Sequence, residues 1–380
     1  MNGIDYSSIY QAMMRAYSSL PMAIARGSTL PPLQVFMEVT YKCNLSCSFC
    51  QFIISENGEL CASSAKRREL SSGEFKKLIL QFPRSAILSF TGGEPFVKEG
   101  FIDLLSHASG RNKTHIFTNG TRITREMSEI LVNLGARDIL SPGLVLLGIS
   151  LEGTRATHCE ITGRPWAFDK TLAGLKTLTD YRLKQKKKYP LIELKSVISE
   201  KNVSELYDIF LIAKQNNVDI FNVMTINLLP QASRLHEGAV PSYSIPPPAV
   251  KAIDSNILRR QLDKIRCEAA SSNIQLRTTP AGFNLEEIVN YYSNGEPLRN
   301  YRCYYPWYGM GITAFGDVSL CPYAVIGNVR EAGLKEILNN AKAKKFRRAL
   351  KVHKVFPGCW GCCMLVPERA RQLTEQATSG

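Results

Sequence analysis

The sequence predicts an α/β protein, a partial (β/α)6 TIM-like barrel followed by a small C-terminal domain. Three observations carry that prediction: six short β-prone apolar runs, helical periodicity between them, and a change to aromatic, glycine-rich and cysteine-rich sequence near residue 300. Strands that alternate with helices imply a mostly parallel sheet with helical crossovers. The interruptions are too regular for a sandwich, and six units favour a partial barrel over a closed eight-stranded one.

Residues 1–32 read as an N-terminal helical extension, with a helix over Tyr6–Ala25 followed by Pro31 and Pro32. Leu33–Val39 is the first buried strand. The polar stretch Ser55–Ser72 carries Cys61 and reads as a surface loop; Ser71 or Ser72 then caps a helix containing Phe75, Leu78, Ile79 and Phe82. Strand-like Ala86–Phe90 precedes helix-like Gly100–Ala108, Thr114–Thr118 precedes Arg125–Leu134, and Leu144–Leu151 precedes Phe168–Tyr181. Leu191–Ser199 precedes Val203–Asn216, and Val218–Ile226 closes the series, so the barrel is assigned to residues 33–229. Residues 230–299 are expected to be a proline-rich connection, Pro230–Pro248, and a helix over Ala249–Ala270 with Ile253, Ile257, Leu258, Leu262 and Ile265 on one side. Residues 300–367 form the C-terminal domain, and 368–380 read as a flexible tail.

A chain of 380 residues with 44% hydrophobic and 21% charged residues buries a substantial core. No secretion signal or membrane-length apolar run is visible, so the cytoplasm is the expected location. The net charge of +14 is concentrated at Lys184–Lys188 and between Lys335 and Lys354. It reads as a solvated or phosphate-attracting surface, and nucleic acid is not the expected partner. The eleven cysteines cluster, which favours metal ligation over a disulfide framework.

Cys43, Cys47 and Cys50 place three thiols within eight residues, directly after the first strand. A compact loop can point all three at one metal centre. Zinc would normally recruit a fourth cysteine or histidine nearby, and Cys61 lies eleven residues further on. An iron–sulfur cubane held by three cysteines leaves one iron open to an outside ligand. Thr91-Gly92-Gly93-Glu94-Pro95 follows the second strand, where the glycines permit close backbone approach. Thr118-Asn119-Gly120 follows the third, and Gly148-Ile149-Ser150-Leu151-Glu152-Gly153 the fourth. Read alone, these segments are ordinary strand-to-helix turns.

Together the motifs resemble those of the radical S-adenosylmethionine (SAM) enzymes. Cys43, Cys47 and Cys50, with Phe49 before the last cysteine, match the family's Cys-x3-Cys-x2-Cys signature. The resemblance implies a [4Fe–4S] cluster whose open iron chelates SAM, and one-electron cleavage to methionine and a 5′-deoxyadenosyl radical. It also implies cofactor contacts at Gly92, Gly93, Glu94, Asn119 and Ser150, with Glu94 toward the methionine amine. Glu152 stands where aspartate is commoner, and Cys159 and Thr162 replace the family's usual aspartate and arginine near His158. Glu152, Cys159 and Arg164 are the candidate catalytic or substrate residues, with Arg155, His158, Lys195 and Arg234 as further contacts.

Cys303, Cys321, Cys359 and Cys362 form a second set, with Cys363 beside it as an alternate ligand, a buried thiol or a redox thiol. Gly316–Pro322 reads as a hairpin that delivers Cys321 beside Cys303, and four thiolates suit either a closed cubane or zinc. The region resembles the family's C-terminal auxiliary-cluster domain, in the shortened twitch form rather than full SPASM, and implies a second [4Fe–4S] cluster. The expected activity is hydrogen abstraction from a small, anionic or sugar-like metabolite, giving dehydrogenation or epimerisation. An electron donor such as flavodoxin or ferredoxin is the implied partner. Cys159, Cys267 and Cys363 are candidate hydrogen donors. The alternatives are maturation of a ribosomally made peptide or protein, and a non-catalytic iron–sulfur or zinc nucleic-acid-binding protein.

Overall fold

The computed structural model describes residues 6–24, 26–50, 67–226, 252–281, 283–293, 301–321, 324–359 and 361–368. Cys61, Arg234, the Pro230–Pro248 segment and the tail beyond Arg371 lie outside the described residues.

Helix α1 (Tyr6–Ile24) leads into β1 (Gln34–Thr40). Helix α2 (Ser72–Ile79) starts at a capping box, where the Ser71 hydroxyl accepts from Glu74 N–H and the Glu74 carboxylate accepts from Ser71 N–H. There follow β2 (Ile87–Gly92), α3 (Phe101–Ser109), β3 (Lys113–Thr118), α4 (Arg125–Asn133) and β4 (Gly143–Ser150). Two helices, α5 (Arg155–Thr162) and α6 (Ala167–Lys184), separate β4 from β5 (Leu191–Val197). Helix α7 (Leu206–Gln215) leads to β6 (Ile220–Met224).

The six expected strands are all present, and a seventh joins them. Residues 252–293, read from sequence as connection and helix, contain α8 (Ser255–Ala270), β7 (Gln275–Thr279) and α9 (Leu285–Ser293). Strand β7 pairs parallel with β6 along its whole length. Its sequence, Gln-Leu-Arg-Thr-Thr, is short and polar, unlike the apolar runs by which buried parallel strands are recognised.

The sheet carries β1 through β7 in sequence order, all parallel. One face packs on the helices: Leu88, Phe90, Ile116, Leu147, Ile149, Leu194 and Phe221 are buried with Phe75, Leu104, Leu131, Leu175, Phe210 and Leu262. The residues between them, including Phe36, His115, Phe117, Lys195 and Arg277, are half-buried. They line a lumen, because the sheet curls. His115 on β3 and Arg277 on β7 are electrostatic neighbours, whereas four strand spacings on a flat sheet would hold them about 19 Å apart.

The C-terminal domain extends the same sheet. It contains β8 (Tyr301–Cys303), α10 (Tyr305–Tyr308), β9 (Gly309–Ile312), β10 (Asp317–Ser319), β11 (Val325–Asn328), α11 (Leu334–Leu338), α12 (Ala341–His353) and β12 (Leu365–Pro367). Strand β9 pairs parallel with β1, and β10 and β11 follow antiparallel, giving a sheet of ten strands among the described residues. The expected hairpin is therefore present, with Gly316 at φ +90° in its turn. Strands β8 and β12 form a separate antiparallel pair in which Cys303 faces Leu365.

Arg347 of α12 is wholly buried. Its guanidinium donates to the carbonyls of Pro306 (2.6 Å), Leu338 (2.8 Å) and Gly27 (3.1 Å), tying α12 to α10, α11 and the chain after α1. Burial pushes its pKa down to about 10.

Candidate functional site

Four motif segments leave the sheet at the carboxyl ends of β1, β2, β3 and β4, the edge where open α/β sheets place ligands. The Cys43–Cys50 loop follows β1 and rests on α5. Ser46 N–H donates to Thr162 O and Ser48 N–H to Ile161 O, both at 2.9 Å. The carbonyls at a helix C-terminus lack intrahelical partners, and here the cysteine loop supplies donors to two of them. Leu45 N–H points to Cys43 Sγ (3.4 Å), and Asn119 Nδ2 lies 3.9 Å from the same sulfur.

Gly92 and Gly93 are glycines for steric reasons. Gly92 has φ +131°, and an added Cβ would lie 2.3 Å from Thr40 O. At Gly93 it would lie 2.2 Å from Lys42 O. Gly93 N–H and Glu94 N–H instead donate to Thr40 O (2.7 Å) and Lys42 O (2.9 Å), so the glycine turn is laid directly against the start of the cysteine loop.

Glu94 is fully buried and serves as a junction. Its carboxylate accepts from Thr118 Oγ1 (2.8 Å), Asn119 N–H (2.8 Å) and Phe96 N–H (3.1 Å), joining the turns after β2 and β3. Burial holds its pKa above the ordinary carboxylate value against those three donors. Asn119 in turn donates to Asn44 Oδ1 (2.9 Å), and Asn44 Nδ2 donates to Thr121 Oγ1 (2.8 Å). Glu94 and Asn119, read from sequence as cofactor contacts, thus brace the loop that carries Cys43. Asn44, Thr118 and Thr121 share that work and were not singled out by sequence, because their partners lie on other strands.

Glu152 is buried at the end of β4. Its Oε2 accepts Val197 N–H at 2.8 Å, its N–H donates to His158 Nδ1 at 3.0 Å, and its carbonyl accepts from Asn202 Nδ2 at 2.9 Å. Burial pushes its carboxyl up to about 7, while burial drives His158 down to about 4. Glu152 stands within electrostatic range of both Cys47 and Lys195. Ser150 lies in register with Lys195 on β5, one strand over.

Cys159 and Arg164 are not drawn into this network. The Cys159 thiol donates to Pro165 O at 3.2 Å, and exposed Arg164 donates to Gly163 O at 3.2 Å. Gly163 ends α5 in the left-handed region (φ +67°), and this turn leaves Arg164 in solvent.

In the C-terminal domain, Cys303, Cys321, Cys359, Cys362 and Cys363 are electrostatic neighbours, as Cys43, Cys47 and Cys50 are in the first loop. Cys359 Sγ accepts Phe356 N–H at 3.3 Å, and Cys362 N–H donates to Cys359 O at 2.9 Å. Burial and neighbouring thiols raise the Cys303 pKa; contact with Cys363 and then burial do so at Cys362; burial raises Cys359. Cys43 is pushed up to about 11, first by burial. Among the described residues no group of three or more His, Cys, Asp or Glu stands at metal-binding separations. The donor set nevertheless fits iron–sulfur ligation: soft sulfur donors neighbour one another in the first loop and across three segments of the C-terminal domain, with N–H groups directed at Cys43 and Cys359. Cys363 lies within electrostatic range of Lys195, so this domain faces the lumen.

Among the described residues no helix is long and apolar enough to cross a membrane. Residues 37–192 match the Radical SAM superfamily, and residues 303–363 match SPASM, an iron–sulfur cluster-binding domain. The AdoMet-dependent heme synthase of Methanosarcina barkeri is 26% identical over 342 residues, covering 88% of this chain and 89% of that protein. The sporulation killing factor maturation protein SkfB of Bacillus subtilis is 29% identical over 183 residues, covering 47% of this chain and 38% of that protein. Of SkfB, therefore, the chain spans well under half the length. Streptococcus suis SuiB, solved with S-adenosylmethionine, shares the fold with a TM-score of 0.61 at 18% identity, covering 89% of this chain and 73% of that one. The chain belongs to the radical SAM superfamily, as an enzyme with a C-terminal auxiliary iron–sulfur domain.

Proposed function

We propose that this enzyme binds a [4Fe–4S] cluster through Cys43, Cys47 and Cys50, and modifies a side chain of a peptide or protein. When bound, the cluster and SAM supply one-electron cleavage of the sulfonium–carbon bond, yielding an organic radical that removes a substrate hydrogen. The protein's own work is positioning. Gly92 and Gly93 let backbone approach backbone beside Cys43, Glu94 and Asn119 brace that loop, and Ser150 and Glu152 border the lumen at the end of β4. Cys303, Cys321, Cys359 and Cys362 would hold an auxiliary [4Fe–4S] cluster, with flavodoxin or ferredoxin as electron donor.

The observation that carries this reading is the cysteine loop, seated on the glycine turn and α5 at the carboxyl edge of the curled sheet. For the substrate, SkfB is named for maturation of a killing factor, which supports the peptide alternative over a sugar-like metabolite. A tetrapyrrole is the second reading, because the heme synthase match runs through both domains.

Mass spectrometry of candidate peptides and of a propionate-bearing tetrapyrrole, incubated with reduced holoenzyme and SAM, tests the proposal. A peptide that loses two hydrogens shows oxidation or cross-linking, and unchanged mass with deuterium uptake from D2O shows epimerisation. Turnover of the tetrapyrrole alone would replace the peptide reading with the second one.

A further inference from the structure

Building on the radical-enzyme reading, we infer that Lys195 and Arg277 form a receptor in the barrel lumen for a carboxylate of the substrate. Ser150, Lys195, Asn222 and Arg277 occupy one register row across β4, β5, β6 and β7. Two cations in that row face the carboxylate of Glu193, which is already engaged. Asn222 Nδ2 donates to Glu193 Oε1 at 3.1 Å, while Thr279 Oγ1 fixes Asn222 Oδ1 at 3.0 Å.

Arg277 is held at one corner and unpaired at another among the described residues. Its Nη1 stands 3.6 Å from Glu193 Oε1, whereas its Nε is shut off from solvent and has no acceptor among the described residues. The Nε edge of a guanidinium is a fork that matches the two oxygens of a carboxylate. Lys195 Nζ lies 4.1 Å from the centroid of the Phe117 ring, with Glu193 and Glu152 as its charged neighbours. Gly148 makes this contact sterically feasible, since a Cβ there would lie 2.8 Å from Phe117 and 3.2 Å from Glu193. Phe36 stacks on Phe117 and meets Tyr305, giving the lumen an aromatic wall beside the cations. Half-buried cations against an aromatic wall suit an anion borne on an apolar body. A tetrapyrrole propionate and an acidic side chain of a peptide present the same chemistry.

The test is equilibrium binding to anaerobically reconstituted, SAM-loaded enzyme with two probe pairs. One pair is a propionate-bearing iron porphyrin and its methyl ester; the other is a glutamate-containing peptide and its glutamine counterpart. The acid form of at least one pair is expected to bind about tenfold or more tightly than its neutral form. Which pair shows the preference identifies the source of the carboxylate. Lys195→Met and Arg277→Gln should each shrink the ratio, and Arg277→Lys should retain part of it; iron content per chain and the circular-dichroism spectrum report that the variants are folded. No acid preference in either pair, or a preference that survives both Lys195→Met and Arg277→Gln, overturns the receptor. Reductive SAM cleavage by the wild type without any probe is scored separately, and its failure would sink the parent reading instead.

Discussion

Glu152 and His158 share one hydrogen-bonded corner, yet burial shifts them in opposite directions. Between the ordinary carboxylate value of 4.5 and about 7, folded Glu152 keeps a proton that the unfolded chain has released, so rising pH costs stability in that window. His158 does the reverse: below 6.5 the unfolded chain takes a proton that the folded imidazole refuses until about 4, so falling pH costs stability. His115, also held down to about 4 by burial and then by Arg277 and Lys113, adds to the histidine side. Glu94, also held up by burial, adds to the glutamate side, so denaturant melts of apoprotein between pH 4.5 and 6.5 should show stability that changes little with pH. Glu152→Gln should tilt the profile toward stability rising with pH, and an unchanged slope would remove Glu152 from the balance. Gly93→Ala directs a Cβ at Lys42 O and should cost about 1–3 kcal/mol by the same melts, together with iron bound in the first loop. The glycine–glycine–glutamate motif was visible in sequence because it is contiguous. That the Glu94 carboxylate is consumed by Thr118, Asn119 and Phe96 was not, since two of those donors arrive from another strand.

At the scale of elements, apolar strands were legible and polar ones were not. Leu-Leu-Gly-Ile-Ser and Ile-Leu-Ser-Phe announce β4 and β2, whereas β7 alternates polar residues into the lumen and was read as connection. The same alternation marks Glu193 and Lys195 on β5, and it was the available signal for the lumen cluster. Helix α5 was also missed. Eight residues with weak amphipathicity present no long periodic stretch, although its C-terminal carbonyls seat the cysteine loop. The basic run between Lys335 and Lys354 was read as a solvated surface, but within it Arg347 of α12 proves to be an internal strut rather than a surface charge. Arg347→Met strips donors from three carbonyls and should cost about 3 kcal/mol or more in a chemical melt. A loss below about 0.5 kcal/mol would show that the strut is dispensable.

At the scale of the molecule, the C-terminal domain is more than an appendage, because β9 covers the outer edge of β1. Strand β1 delivers the first cysteine loop, so one strand links the two cysteine systems mechanically. A fragment ending at Ser293 would expose that edge, and unpaired edges promote association. Size-exclusion chromatography of the fragment should show aggregates in place of a single compact species; a well-behaved monomer would mean that the barrel protects β1 by other means. Whether two cysteine systems act in one reaction was beyond the sequence, since only the fold brings Cys363 toward Lys195. The most direct test of the whole account is anaerobic reconstitution of the wild type and of a Cys43→Ala/Cys47→Ala/Cys50→Ala variant, followed by strong reduction with SAM. The wild type should release methionine and 5′-deoxyadenosine, and the variant should retain iron in its C-terminal domain while releasing neither. Intact SAM with fully iron-loaded wild type, or equal cleavage by the variant, would contradict it.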